Sequence, residues 1–305
     1  MARVADKCIG EVKAIRIRLP PGGGARWVKM GVDAKPSCGD LLVGRPGAAT
    51  ELLRAANQPS PSAGERSEQT SLPGQRSSPP GNQAAVAVPV DPDPRVGAIF
   101  LDDGPVHICT GAVLHSTSGD LVLTAAHCLL GGHTAGSFIP GFGGADPPPS
   151  RWKIDQVYFD PRWIANQDPR ADYAIARVSG DGSLQARVGS ALLLGRAPAR
   201  GAPVTVTGYP AGLDDTPIAC SANIEVTEGG FPELSCDGLV AGTSGAPWVS
   251  AGTVTGVIGG LEGGGCTESV SYSAPLDEHA AALLVRAEAG GPGDDPPVEF
   301  DDACL

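Results

Sequence analysis

The 305-residue chain reads as an all-β domain, a barrel or a sandwich, closed by one C-terminal helix and preceded by an extension of different character. Three observations lead there. From about residue 95, short apolar and β-branched runs alternate with Gly, Pro, Asp and Ser, the pattern of many short strands joined by turns. The 43 glycines and 29 prolines supply those turns, while an apolar content of 41% allows a core in at least part of the chain. Charge breaks near residue 90: residues 1–90 carry 12 Lys or Arg against 7 Asp or Glu, and residues 91–305 carry 10 against 27.

Taken in order, residues 1–58 have weak periodicity, with one short helix expected over residues 49–57. This is an extension of unassigned role, largely disordered. Residues 59–82, "PSPSAGERSEQTSLPGQRSSPPGN", hold only Ala63 and Leu72 as apolar residues and cannot offset their ordering entropy. A Pro/Ser/Gly-rich linker is therefore expected over 59–94. Strands are expected in "VGAIFL", "VHICTGAVLH", "DLVLTA", "WKIDQVYF", "YAIARV", "PVTVTGY", "NIEVT", "APWVS", "TVTGVIGG" and "SVSYSA". A helix follows in "PLDEHAAALLVRAEAG", with Asp277 as N-cap and Gly290 beyond its end. Residues 291–305 form an acidic tail, read as a solvated, mobile run without basic partners.

The net charge of −12 argues against nucleic acid as a partner, and no run reaches 18 apolar residues, so no membrane span is expected. Eight cysteines point to an oxidising compartment. The first twenty residues carry seven charges and do not resemble a signal peptide, a conflict that a misassigned start codon would explain.

The stretch "GTSGAPW" holds Ser244 between glycines, a turn that exposes a hydroxyl and leaves N–H groups pointing outward. A serine hydroxyl is a poor nucleophile until a base takes its proton, so a histidine and an orienting acid are required. Among His107, His115, His127, His133 and His279, only His127 follows an apolar strand into small residues, in "LVLTAAHCLL". Asp172 opens the strand in "ADYAIARV", 45 residues later, and is a cleaner candidate than Asp155, Asp160 or Asp168. A zinc site from Cys109, His127, Cys128 and His133 is disfavoured by the adjacent His-Cys spacing.

"TAAHC", "ADYAIARV" and "GTSGAPW", in the order His, Asp, Ser, resemble the motifs of chymotrypsin-like serine proteases over residues 95–290. The resemblance implies two six-stranded antiparallel β-barrels. It implies a serine endopeptidase with His127 as base, Asp172 as orienting acid, Ser244 as nucleophile, and Gly242 and Ser244 N–H groups as the oxyanion hole. It further implies a Cys109–Cys128 disulfide. Cys220 and Cys236 are a plausible second pair, and Cys8, Cys38, Cys266 and Cys304 have no assigned partners. The substrate pocket is expected at Gly238, Val240, Ile258 and Leu261, favouring an apolar or small side chain, with Asp237 one position away from the pocket floor. Expected partners are a peptide or protein substrate, with no cofactor or metal, for a monomer of the secreted bacterial type. The competing reading is a non-catalytic homologue that binds a partner. In the branch of the family activated by a new N-terminus, the residue before the nucleophile is an acid; Thr243 has no charge, so its hydroxyl is expected to bond locally.

Overall fold

The computed structural model describes residues 14–17, 26–29, 85–101, 104–129, 136–143, 150–212, 216–297 and 300. Its contacts separate Met1–Arg76 from Ser77–Leu305. In the first unit, β1 (Ala14–Ile17) and β2 (Arg26–Lys29) pair antiparallel, Ala14 opposite Lys29. Weak periodicity did not mark these strands. The helix expected over residues 49–57 and the linker core of 59–82 lie outside the described residues.

In the second unit the strands are β3 (Ala85–Val86), β4 (Val88–Pro89), β5 (Val96–Leu101), β6 (His107–Leu114), β7 (Leu121–Thr124), β8 (Gly136–Pro140), β9 (Trp152–Phe159) and β10 (Ala174–Ser179). There follow β11 (Leu193–Leu194), β12 (Pro203–Gly208), β13 (Ile218–Asn223), β14 (Glu225–Val226), β15 (Pro232–Asp237), β16 (Pro247–Ser250), β17 (Thr253–Val257) and β18 (Val270–Tyr272). Three helices join them, α1 (Pro161–Asn166), α2 (Leu184–Val188) and α3 (Glu278–Ala289).

The first half is a closed barrel, β10-β7-β6-β5-β8-β9. Its interior is filled by Ile99, Val113, Val122, Phe138, Trp152 and Phe159. β9 alternates at first, Trp152 and Ile154 inward and Lys153 and Asp155 outward, as a half-buried strand should. Gly97 lets β5 pass over Phe138: a Cβ there would meet the ring at 2.6 Å and the Ile139 carbonyl oxygen at 2.3 Å.

The second half has the strands of a second barrel but not one continuous ladder. Six strands run β11-β17-β16-β12-β13-β4, and β14, β15, β18 and β3 form a smaller sheet. The Cys220–Cys236 disulfide ties β13 to β15 across the gap, and an isolated bridge between Ile258 and Ser273 joins the other side. β3 and β4 lie within the stretch expected as linker, yet they pair with β15 and β13. Ala85–Pro89 is therefore part of the β fold, because these residues complete two strand edges.

Asp277 caps α3 as expected, accepting from the His279 and Ala280 N–H groups, and Gly290 ends it at φ 71°. Its Ala280, Leu283 and Ala287 face packs on Tyr158, Tyr173 and Ile175. The two shorter helices were not foreseen; Asp160 and Ser183 cap them.

The tail after α3 departs from the solvated run expected of it. Asp294 has a basic partner, with Arg286 Nη1 at 2.9 Å and Nη2 at 2.5 Å. Asp294 also accepts from the Phe159 N–H at 2.8 Å and donates its own N–H to the Val157 carbonyl. The Tyr158 hydroxyl donates to the Gly291 carbonyl at 2.8 Å. Charge counting along the sequence missed this pair because an i, i+8 partner across a helix end leaves no local signal.

Candidate active site

His127 sits in a 3₁₀ turn, Ala126–Leu129, directly after β7, and Cys128 anchors that turn to β6 through the disulfide with Cys109. Asp172 ends a second 3₁₀ turn, Pro169–Ala171, two residues before β10. Because β7 and β10 are barrel neighbours, with Thr124 opposite Ala174, their loops deliver the two residues to the same place. The carboxylate of Asp172 takes both groups that His127 offers: the main-chain N–H lies 3.0 Å from Oδ1 and the ring Nδ1 lies 2.8 Å from Oδ2. Such a two-point grip fixes both the position and the tilt of the imidazole.

The Asp172 side chain is fully buried. Burial alone would push its carboxyl up; the charge of His127, the ring hydrogen bond, and the N–H groups of Gly260 and His127 together hold it below the ordinary 3.8. Gly260 N–H reaches Oδ2 at 2.7 Å. The glycine before it is required: a Cβ at Gly259 would stand 3.0 Å from both the carbonyl and Oδ2 of Asp172.

Ser244 is half-buried in the turn between β15 and β16. The turn is held from below by Thr110 on β6, whose N–H donates to the Ser244 carbonyl at 2.8 Å and whose hydroxyl donates to the Gly242 carbonyl at 3.0 Å. Gly245 donates to the Ile258 carbonyl and packs so closely on Thr124 and Ala125 that a Cβ would lie 2.2 Å from the Thr124 hydroxyl. The serine turn thus rests on the last residues before the His127 turn. Gly242, at φ 95°, has no room for a side chain, since a Cβ would fall 2.0 Å from the Ala211 nitrogen. Thr243 turns its N–H inward to the Val240 carbonyl at 3.1 Å, and its hydroxyl donates to the same oxygen at 2.7 Å, the local bond expected of it. The N–H groups of Gly242 and Ser244, on either side, donate to nothing among the described residues.

The closed barrel carries the His127–Asp172 pair and the second β half carries the glycine-bounded Ser244 turn. Residues 109–257 match the family described as the trypsin-like peptidase domain. Among solved structures it is similar to the protease Anisep from Arthrobacter nicotinovorans, at 23% identity and TM-score 0.59, covering 67% of this chain and 100% of that one. A thermostable serine protease, AL20, from an extremophilic microorganism shares 20% identity at TM-score 0.55, over 65% of this chain and 99% of the other. A Glu endopeptidase shares 17% identity at TM-score 0.52, over 68% and 98%. At these identities the likeness is one of fold. No curated protein matches in sequence.

Within the matched residues the two expected disulfides, Cys109–Cys128 and Cys220–Cys236, are both formed. Each closes a loop of under 20 residues, worth about 3 kcal/mol by chain entropy. Cys266 is also disulfide-bonded. Cys109, His127 and Cys128 cluster closely enough for a metal, but the two sulfurs are bonded to each other and offer no thiolate. The rival acids are occupied elsewhere: Asp160 caps α1 and binds Arg162 and the Tyr173 hydroxyl, Asp168 caps the 3₁₀ turn before Asp172, and Asp155 pairs with Lys153.

Of the expected pocket residues, Ile258 is buried in the same core cluster as Trp248, Val206 and Leu234. Gly238, at φ 92°, and Val240 are half-buried ahead of the serine turn, and Leu261 opens the 3₁₀ segment Leu261–Gly264. Asp237 is exposed at the end of β15, where its carbonyl accepts from Ala87. Sequence reasoning missed Thr110, Gly260 and Phe300. Thr110 donates to a carbonyl 132 residues away and Gly260 to a carboxylate 88 residues away, which no local pattern encodes. The Phe300 ring lies nearly parallel to the His127 ring, centroids 5.3 Å apart.

Proposed function

We propose that this domain is a serine endopeptidase that hydrolyses peptide bonds through His127, Asp172 and Ser244. The observation that carries the reading is the doubly held His127: one buried carboxylate takes both its main-chain N–H and its ring Nδ1, the arrangement that orients an imidazole to act as a base. Ser244 Oγ attacks the scissile carbonyl as His127 accepts its proton, and the same imidazole then donates to the leaving amine. Asp172 keeps the tautomer and stabilises the imidazolium. The N–H groups of Gly242 and Ser244 receive the oxyanion; one such donor contributes about 3 kcal/mol to the transition state. An acyl-enzyme forms on Ser244 and water releases it with His127 again acting as base.

Gly238, Val240, Ile258 and Leu261 border the pocket for the residue before the cut, which takes an apolar or small side chain. The substrate is a peptide or protein met outside the cytoplasm, in keeping with the disulfides, by an enzyme of the secreted bacterial type acting as a monomer. Its serine turn does not wait for a new N-terminus. Thr243 is satisfied by the Val240 carbonyl, and the Val96 N–H is already bonded to the Asp93 carbonyl at 2.9 Å with the chain intact through Arg95.

A fluorophosphonate probe tests the reading: the folded protein should be labelled, and Ser244→Ala should not. An unlabelled folded wild type would reject it. Cleavage-site profiling on a mixed peptide library then reads the pocket, and dependence of activity on cleavage at Arg95 would reject the activation argument.

A further inference from the structure

The imidazole of His127 is covered on one face by the chain's own C-terminal segment. The Phe300 ring lies 18° from parallel with it, and it also meets the indole of Trp163 at a centroid distance of 5.6 Å. Below it, Phe300 Cε1 and Cζ stand 3.5 and 3.6 Å from the position a Cβ would take on Gly263. Three separate elements, the His127 turn, α1 and the 3₁₀ segment Leu261–Gly264, thus form an aromatic-lined slot beside the proposed base, with Phe300 in it. Trp163, Pro169, Gly260, Gly263 and Phe300 also border a cavity of about 160 Å³ there, so the slot is open to a larger or second side chain.

The segment reaches the slot from a fixed point. Asp294 is clamped by Arg286 and by the backbone of β9, and Gly291 by Tyr158, which leaves six residues from anchor to ring. An extended chain of that length covers about 20 Å. The tether makes the ring's effective concentration at the slot high compared with any free peptide.

We propose that Phe300 is an intramolecular occupant of the substrate groove, so that the C-terminal segment restrains the peptidase by competing with the aromatic or large apolar side chain of a bound peptide. This rests on His127 being the catalytic base. Stacking on the imidazole face blocks a peptide that must lie over it, while the half-buried Ser244 stays within reach of a small reagent. A tail that fills the slot about nine-tenths of the time raises the apparent KM about tenfold and leaves kcat alone.

The test compares wild type, Phe300→Ala, Phe300→Trp and a chain ending at Pro297, each assayed with a peptide substrate and with a small alkyl fluorophosphonate. Truncation removes Cys304 as well, so Phe300→Ala, which keeps every cysteine, is the deciding variant. Expected is a KM about tenfold lower in Phe300→Ala and in the truncated chain, wild-type behaviour in Phe300→Trp, and equal fluorophosphonate labelling rates in all four. Equal labelling with an unchanged or higher KM in Phe300→Ala would overturn the proposal and make Phe300 a wall of the site. Absence of labelling in every variant would instead reject the peptidase reading. Loss of the ring-current shift on the His127 ring protons in Phe300→Ala, read by NMR, tests the contact itself whether or not the enzyme turns over.

Discussion

The two halves of the β domain hold their parts of the candidate site by different means. In the first, a closed barrel places the loops after β7 and before β10 side by side, and His127 and Asp172 meet because their strands are hydrogen-bonded neighbours. In the second, the strands split into two sheets, and the Ser244 turn is held by glycines pressed against backbone and by a disulfide across the seam. A ladder tolerates changes of side chain. A turn whose glycines would put a Cβ 2.0 to 2.2 Å from neighbouring atoms does not.

The largest expected effect lies in the barrel half. Asp172→Asn should lower kcat by about 10⁴-fold, since the amide stabilises the wrong tautomer while the packing stays in place. Asp160→Asn, a buried aspartate twelve positions away that serves Arg162 and Tyr173, should cost stability and leave kcat within a few-fold. Equal losses of kcat in the two variants would erase the distinction drawn between them. Next comes the turn: Gly242→Ala should reduce kcat about 10²- to 10³-fold by displacing one oxyanion donor, with the folded circular-dichroism spectrum retained. If its activity stayed near wild type, the close approach to Ala211 would not be what holds the turn.

Removing the seam disulfide by Cys220→Ser with Cys236→Ser should cost about 3 kcal/mol, measured by denaturant unfolding. The same change at Cys109 and Cys128 should cost a similar amount but also reduce kcat, because Cys128 is next to His127. The smallest effect is expected from acid. Both Asp172 and Asp160 have carboxyls held below the ordinary 3.8, so the stability they contribute is complete above that value and is lost as pH falls through their depressed folded values. The melting temperature should fall below about pH 4, and less steeply in Asp172→Asn. A melting temperature that rose on acidification would contradict the sign.

Much of this was legible in the chain. Nearly all the strand runs read from β-branched texture are strands, and "WKIDQVYF" matches β9 residue for residue, because alternation over its first four positions and a β-branched, aromatic end are strong strand signals. β8, β13 and β15 were not read. "GSFIP" and "IACSAN" lack clean alternation, and only their neighbours' edges make them strands. The two-residue strands β3 and β4 owe their form wholly to β15 and β13. The short helices escaped notice because five or six residues carry too little periodicity; only their Asp160 and Ser183 caps betray them.

What the sequence by itself determined was the chemistry on offer: a histidine after an apolar strand, an acid before another, a serine between glycines, and cysteines spaced to pin the turns. These are local matters, set by strand periodicity and turn residues within a few positions. The sequence favours Asp172 as the acid ahead of a strand, and tertiary structure decided what each acid binds: His127 for Asp172, Tyr173 for Asp160, Lys153 for Asp155 and its own 3₁₀ turn for Asp168. It also decided that Gly260 reaches back 88 residues to Asp172 and that Phe300 lies on His127. Those contacts join segments far apart in the chain, and packing of a closed barrel against a second β half is what brings them together.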